Sequence, residues 1–173
     1  MEHFPNLEAK SIRDVPYGTC IAFAMEECVC VGITLPPGPP MDDETIAVLW
    51  TSREEPCTPC IINVASMSGD EVVVFLAAKV LLPIDPTHIR FRYRERAEPH
   101  GALFHANGEP HVLVRGLVDG SVAIRLRDGV HADIGVSNLP WFPSWAIATP
   151  DIDGRWSLYA ASNGREKFEH ELI

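Results

Sequence analysis

Positive charge is scarce in this chain: 14 Lys and Arg stand against 24 Asp and Glu, a formal net charge of −10 over 173 residues. Phosphate affinity scales with the cations a surface offers, so no nucleic-acid partner is expected. Long apolar runs are also missing. No segment approaches the roughly 18 uninterrupted apolar residues of a helical membrane span, so no membrane partner is expected either. The first residues, MEHFPNLEAKS, lack a basic start followed by an apolar run, and no secretory signal is read there. Five cysteines form an odd set. Without a leader, the simplest reading is reduced thiols in the cytoplasm. No Gly-rich phosphate loop is present, and no serine stands in a recognisable nucleophile setting. The sequence therefore names no catalytic residue and leaves enzyme status undecided.

What is present points to strands. At 46% hydrophobic and 22% charged, the composition is that of a packed globular protein. The length suits a single domain over 1–173; a division into two lobes would fall at the seam near 95–100. Asn107-Gly108, Asp119-Gly120, Asp128-Gly129, Asp153-Gly154 and Asn163-Gly164 are turn dipeptides. Runs rich in Val, Ile and Leu lie between them, at 101–105, 110–118, 122–127, 130–136 and 155–162. This spacing predicts an antiparallel meander, and hence a mainly β fold closed as a small barrel or stacked as a two-sheet sandwich. Further strands are expected at 19–25, 28–35, 45–51, 60–66 and 88–94. Residues 70–81 carry two conflicting signals. Ser68-Gly69-Asp70-Glu71 fits a helical capping box, whereas Val72-Val73-Val74 favours a strand.

Four cysteines lie beside paired glutamates, in Glu26-Glu27-Cys28-Val29-Cys30 and Glu54-Glu55-Pro56-Cys57-Thr58-Pro59-Cys60. In a strand, Cys28 and Cys30 point the same way, with Cα atoms about 6.6 Å apart. Cys28, Cys30, Cys57 and Cys60 are thus candidate zinc ligands. Against zinc, four thiolates carry a net negative charge that the adjacent glutamates would reinforce. Cys57-Thr58-Pro59-Cys60 also matches a redox CxPC pattern, but a strand-like Ile61-Ile62-Asn63-Val64 follows where that chemistry needs a helix N-terminus. The plain alternative is cysteines packing as small hydrophobes. Cys20, alternating with Ile21 and Phe23, is expected in or near the core.

If the Asp119 and Asp128 turns each use three loop residues, Val112, Val114, Val118, Val122, Ile124, Leu126, Val130, Ala132 and Ile134 share one face. His111, Leu113, Arg115, Leu117, Ala123, Arg125, Arg127, His131 and Asp133 then share the other. This register sets Arg115 opposite Arg125, and Arg125 opposite His131. Like charges so placed need a counter-charge. It could be a small anionic ligand gripped by Arg115, Arg125 and His131, with Arg127 and Asp133 beside them. The acidic N-terminal half, of this chain or of a second copy, could do the same, and this plainer reading is the one favoured. Arg90, Arg92 and Arg94 form a similar stripe. A two-residue Asn107-Gly108 turn pairs His105 with Pro110 and Phe104 with His111, which sends His105 and His111 to opposite sides.

Trp141, Phe142 and Trp145 crowd a proline-framed loop. They suit a recognition platform or a plug over one end of the β-structure. The functional expectation is a non-catalytic binding or assembly protein that uses this loop and the arginine face, with a protein partner or self-association. The other reading is an enzyme or sensor for a small anion. Zinc stabilisation would fit either.

Overall fold

A computed structural model describes residues 6–37, 44–53, 58–82, 90–91, 100–117, 120–134, 139–151 and 153–162. The strands are β1 (Leu7–Ser11), β2 (Cys20–Met25), β3 (Cys28–Leu35), β4 (Thr45–Thr51), β5 (Cys60–Asn63), β6 (Glu71–Phe75), β7 (Lys79–Leu81) and β8 (Arg90–Phe91). They continue with β9 (Leu103–Ala106), β10 (Glu109–Arg115), β11 (Ser121–Arg125), β12 (His131–Ala132), β13 (Pro140–Phe142), β14 (Ala146–Pro150) and β15 (Trp156–Ala161). The fold is mainly β, as the turn spacing predicts. Among the described residues there is no α-helix, only 3-10 turns at Ile12–Asp14 and Val64–Ser66. The helical option over 70–81 is therefore corrected to β6 and β7. Tertiary pairing decides it: β6 is hydrogen-bonded along both edges, to β1 and to β2. Two ladders of backbone bonds outweigh a local capping signal.

One large sheet runs β1-β6-β2-β3-β4-β5-β10-β9-β13-β8, with β11 on β10 and β12 on β11. A smaller sheet runs β15-β14-β7. Pairing is antiparallel except for one parallel contact, Arg115 with Cys60, where β10 meets β5. The sheets do not close into a barrel, so the barrel option falls and the sandwich remains compatible. The central strands of the large sheet are buried on both faces. Ala22, Val31, Ile33, Leu35, Ala47 and Leu49 turn towards Trp145, Ile147 and Ala160. Ile21, Phe23, Cys28, Cys30, Ile46 and Val48 turn the other way, onto Ile12 and Val15. Period-two alternation delivers both sets.

The Asn107-Gly108 hairpin has the expected register, with His105 opposite Pro110 and Phe104 opposite His111. Asn107 and Gly108 both adopt positive φ, 54° and 80°, as a two-residue primed turn requires. The other two turns differ from expectation. Arg115 faces Ser121, and Arg125 faces His111. This is a displacement of two residues on each strand, which leaves the faces of β10 and β11 as predicted. Val122 pairs with Val114; Val118 lies outside the described residues. At the next turn His131 faces Ile124 and Ala132 faces Ala123, one residue away from the expected register. The loop is longer because Gly129 N–H donates to the Arg125 carbonyl while Arg125 grips Asp128. An odd slip inverts the strand. Ala132 and Ile134 accordingly pack with Phe104, Ala106, Leu113 and Ala123 instead of with the valines.

Candidate functional site

The inner faces of the two sheets do not meet everywhere. Between them lies a cavity of about 320 Å³. Alternation along β2, β3, β4 and β6 aims Cys20, Ile33, Leu49 and Phe75 into it, and β9 adds Leu103. The smaller sheet supplies Val80 and Ile147, with Trp145 just ahead of β14. Leu126 closes one side, and Gly18 and Thr19 another. Ala78 and Val80 are exposed and mark the mouth.

Among the described lining residues, Cys20 is the one titratable side chain. Burial pushes its thiol up to about 12, so it stays protonated and neutral at physiological pH. Tyr159 packs edge-on against Phe75 at 4.7 Å, and its hydroxyl is likewise raised by burial and then by Cys20. The wall is built around Trp145, only 1% exposed. Its indole N–H donates to the Gly101 carbonyl at 2.6 Å. Its backbone N–H donates to Ser162 Oγ at 2.9 Å, and Ser162 N–H donates back at 2.8 Å. The arrangement can enclose a small apolar body with no charge to neutralise.

The aromatic loop is divided rather than gathered. Trp141 pairs with Phe104 and is half-buried against the Phe104–Leu113 cluster. Its indole N–H is buried without a partner among the described residues. Phe142, one residue on, packs into the main core. The three rings do not form one platform, and of them Trp145 alone lines the cavity.

The candidate anion residues are also apart. Arg115 is exposed at the far end of β10, and about 13 Å of strand separates it from the His111–Arg125 pair. Arg125 donates two hydrogen bonds to Asp128, at 2.8 and 2.6 Å. Arg127 pairs with Glu109 at 2.9 Å. His131 and Asp133 are exposed, and the slipped register turns His131 to the face opposite Arg125. The centre of that face is apolar and covered. Among the described residues, the acids paired with Arg125 and Arg127 are local ones of the same meander, Asp128 and Glu109. His111 is buried, stacked on Phe104 at 5.5 Å, and its Nδ1 lies 2.9 Å from the Glu109 carbonyl. His105 is exposed on the opposite side, as expected. Of the 88–94 strand only Arg90–Phe91 is described, paired with β13. Arg92, Arg94 and most of the 95–100 seam lie outside the described residues.

Hydrogen bonding from Arg125 holds the Asp128 carboxyl below the usual carboxylate range. A depressed folded-state pKa adds stability above the unfolded value, near pH 4, and loses it as pH falls. Both partners are about one-third exposed, so the effect is small. Asp128→Asn should lower Tm by at most about 3 °C at pH 7. Thermal melts from pH 7 to pH 3 should show the gap to the parent protein narrowing below about pH 4; a gap that widens there contradicts this assignment.

Of the four candidate zinc ligands, Cys28 and Cys30 are buried with sulfurs 3.8 Å apart. Cys60 sits opposite Val48 on β4, and Cys57 lies outside the described residues. Among the described residues, no three His, Cys, Asp or Glu side chains gather as a metal set.

Sequence reasoning missed most of the cavity wall. Its residues come from segments spread between Gly18 and Ile147, and the one local signal for each is strand alternation, which marks core and cavity alike. Comparison with known proteins finds no matching family model, no similar curated protein and no similar solved structure.

Proposed function

We propose that this is a binding protein whose ligand is a small, neutral, largely apolar molecule held between the two sheets. The observation that carries this reading is the cavity of about 320 Å³, walled largely by apolar side chains, with Thr19 and a protonated Cys20 thiol among them. Its size falls within the range of small-molecule sites, about 300–1,000 Å³. The binding class is the one the sequence favours, but the chemistry differs from the anion reading. Among the described residues no cationic side chain lines the cavity, and an anion held by that lining would lose its hydration without a partner.

The test uses N-phenyl-1-naphthylamine, a neutral apolar dye that brightens on leaving water. The parent protein should bind it saturably, with about one site per chain. Ala78→Trp places a bulky ring at the exposed mouth, where little packing is disturbed. That variant should lose at least about tenfold in affinity with Tm nearly unchanged. No saturable binding, or equal binding by both proteins, refutes the reading.

A further inference from the structure

A second set of functional groups lies on the face of the large sheet turned away from the cavity. Alternation sends Val112, Val114 and Val122 into the main core, so Leu113, Ala123, Arg115 and Ser121 project the other way. Leu113 and Ala123 are buried there with Phe104. Beyond them, at the end of β10, Arg115 stands directly opposite Ser121. Paired residues project to one face, with Cβ atoms about 4.5–5.5 Å apart. His100 is half-buried at the same end, and its Nε2 lies 2.8 Å from Ser121 Oγ. No local motif announces this pair, whose members are 21 positions apart.

The backbone around His100 is pinned. Gly101, next in sequence, has φ 82°, and its N–H donates to the Leu113 carbonyl at 2.6 Å. Its own carbonyl accepts the Trp145 indole N–H, and a methyl in its place would meet Pro59 Cγ at 2.7 Å. The Pro59 carbonyl in turn accepts the Arg115 N–H at 2.9 Å. Ser121 is fixed by the β10–β11 ladder and by the bond from Gly116 N–H to the Gly120 carbonyl at 3.0 Å. All three groups therefore stand on rigid backbone. Arg115 also differs from the other arginines of the meander. Arg125 and Arg127 each hold an acid, whereas Arg115 has no ion-pair partner among the described residues. A hydrogen bond that only fastened the sheet end would require no unneutralised guanidinium beside the hydroxyl.

We propose that Ser121, His100 and Arg115 form a nucleophilic site for acyl transfer, with an unhindered carboxylic ester as substrate. A serine hydroxyl is a weak nucleophile until a base within about 2.6–3.2 Å takes its proton, and His100 Nε2 is within that reach. Ser121 Oγ attacks the ester carbon as its proton passes to His100 Nε2. The carbonyl oxygen gains the electron pair, and the Arg115 guanidinium stabilises that charge. Collapse breaks the bond to the alcohol oxygen, which leaves with the proton from His100. Water then attacks the acyl carbon on Ser121 and passes a proton to His100. The carboxylic acid departs, and Ser121 Oγ recovers the proton. Arg115 is exposed and Ser121 half-buried, so an ester reaches the hydroxyl from solvent without entering the cavity.

The test is reaction with diisopropyl fluorophosphate, the adduct being located by peptide mass spectrometry, with hydrolysis of p-nitrophenyl acetate followed in parallel. The parent protein should take up about one phosphoryl group per chain, at Ser121. Ser121→Ala should lose both the adduct and the hydrolysis with little change in Tm. His100→Gln should slow labelling at least about 100-fold, the contribution of a general base. Arg115→Gln should slow it about tenfold, less than loss of a buried oxyanion donor would, because the guanidinium stands in solvent. An unlabelled parent protein, an adduct on another residue, or equal labelling in His100→Gln overturns the proposal, and the contact then only fastens the sheet end. If His100→Gln fails to fold, Arg115→Gln decides, because Arg115 is exposed and off the core. Unchanged labelling in that variant overturns the proposal as well.

Discussion

Trp145→Ala is expected to destabilise the protein by about 3–5 kcal/mol, a large share of the total stability of an ordinary domain. The indole is 1% exposed and packs into the main core from the smaller sheet. Its removal opens a void next to one that already exists, so the surroundings have little to collapse onto. The Gly101 carbonyl loses its indole donor as well. Tm should fall by roughly 10 °C or more, measured by thermal melts alongside urea unfolding. Two milder variants separate packing from hydrogen bonding. Trp145→Phe keeps a ring and should cost about 1–2 kcal/mol for the lost donor plus a small repacking term. Trp141→Phe should be nearly neutral, because the Trp141 N–H is already buried without a partner among the described residues and deleting it removes a desolvation cost. If Trp145→Ala loses less than about 1 kcal/mol, the indole is not the wedge between the sheets that the packing describes.

The contrast between these two tryptophans shows what could be read in advance. Both stand in one proline-framed loop, and nothing local distinguishes them. Their fates depend on Gly101 and Ser162, far away in sequence for one, and on Phe104 for the other. Strands were legible because alternation and turn dipeptides are local. β3 and β4 have the bounds expected of 28–35 and 45–51. The Asn107-Gly108 register was legible because both residues tolerate positive φ, and two such residues define the loop. The Asp128-Gly129 turn was not. Its length is set by Arg125 reaching forward to Asp128 and by Leu126 turning into the main core. One extra residue there inverts β12 and takes His131 off the arginine side. The proximity of Cys28 to Cys30 followed from period two alone. The cavity needed both sheets.

Gly18→Ala is expected to be the most damaging single-methyl change in the chain, at least about 3 kcal/mol, because two independent costs coincide. Gly18 has φ 78°, where an alanine is disfavoured by about 1–2 kcal/mol. A methyl there would also sit 2.3 Å from Asp128 Cα and 2.5 Å from its carbonyl carbon. Those are backbone atoms, so no side chain can swing aside. The turn is pinned from the other side too: a methyl on Gly129 would meet the Thr34 carbonyl at 2.5 Å. Gly18 N–H donates to that same carbonyl at 2.8 Å. Three backbone segments thus converge where only hydrogens fit. Gly108→Ala provides the control. Its φ is 80°, close to that of Gly18, but nothing lies within 4 Å of the added carbon. It should cost about 1 kcal/mol, the conformational part alone. The difference between the two variants in urea unfolding measures the close approach. Gly18 and Leu126 both border the cavity, so a displaced 126–129 turn should also weaken N-phenyl-1-naphthylamine binding in Gly18→Ala, while Gly108→Ala binds as the parent does. Equal losses of stability in the two variants would show that the backbone junction yields, and that positive φ alone reserves position 18 for glycine.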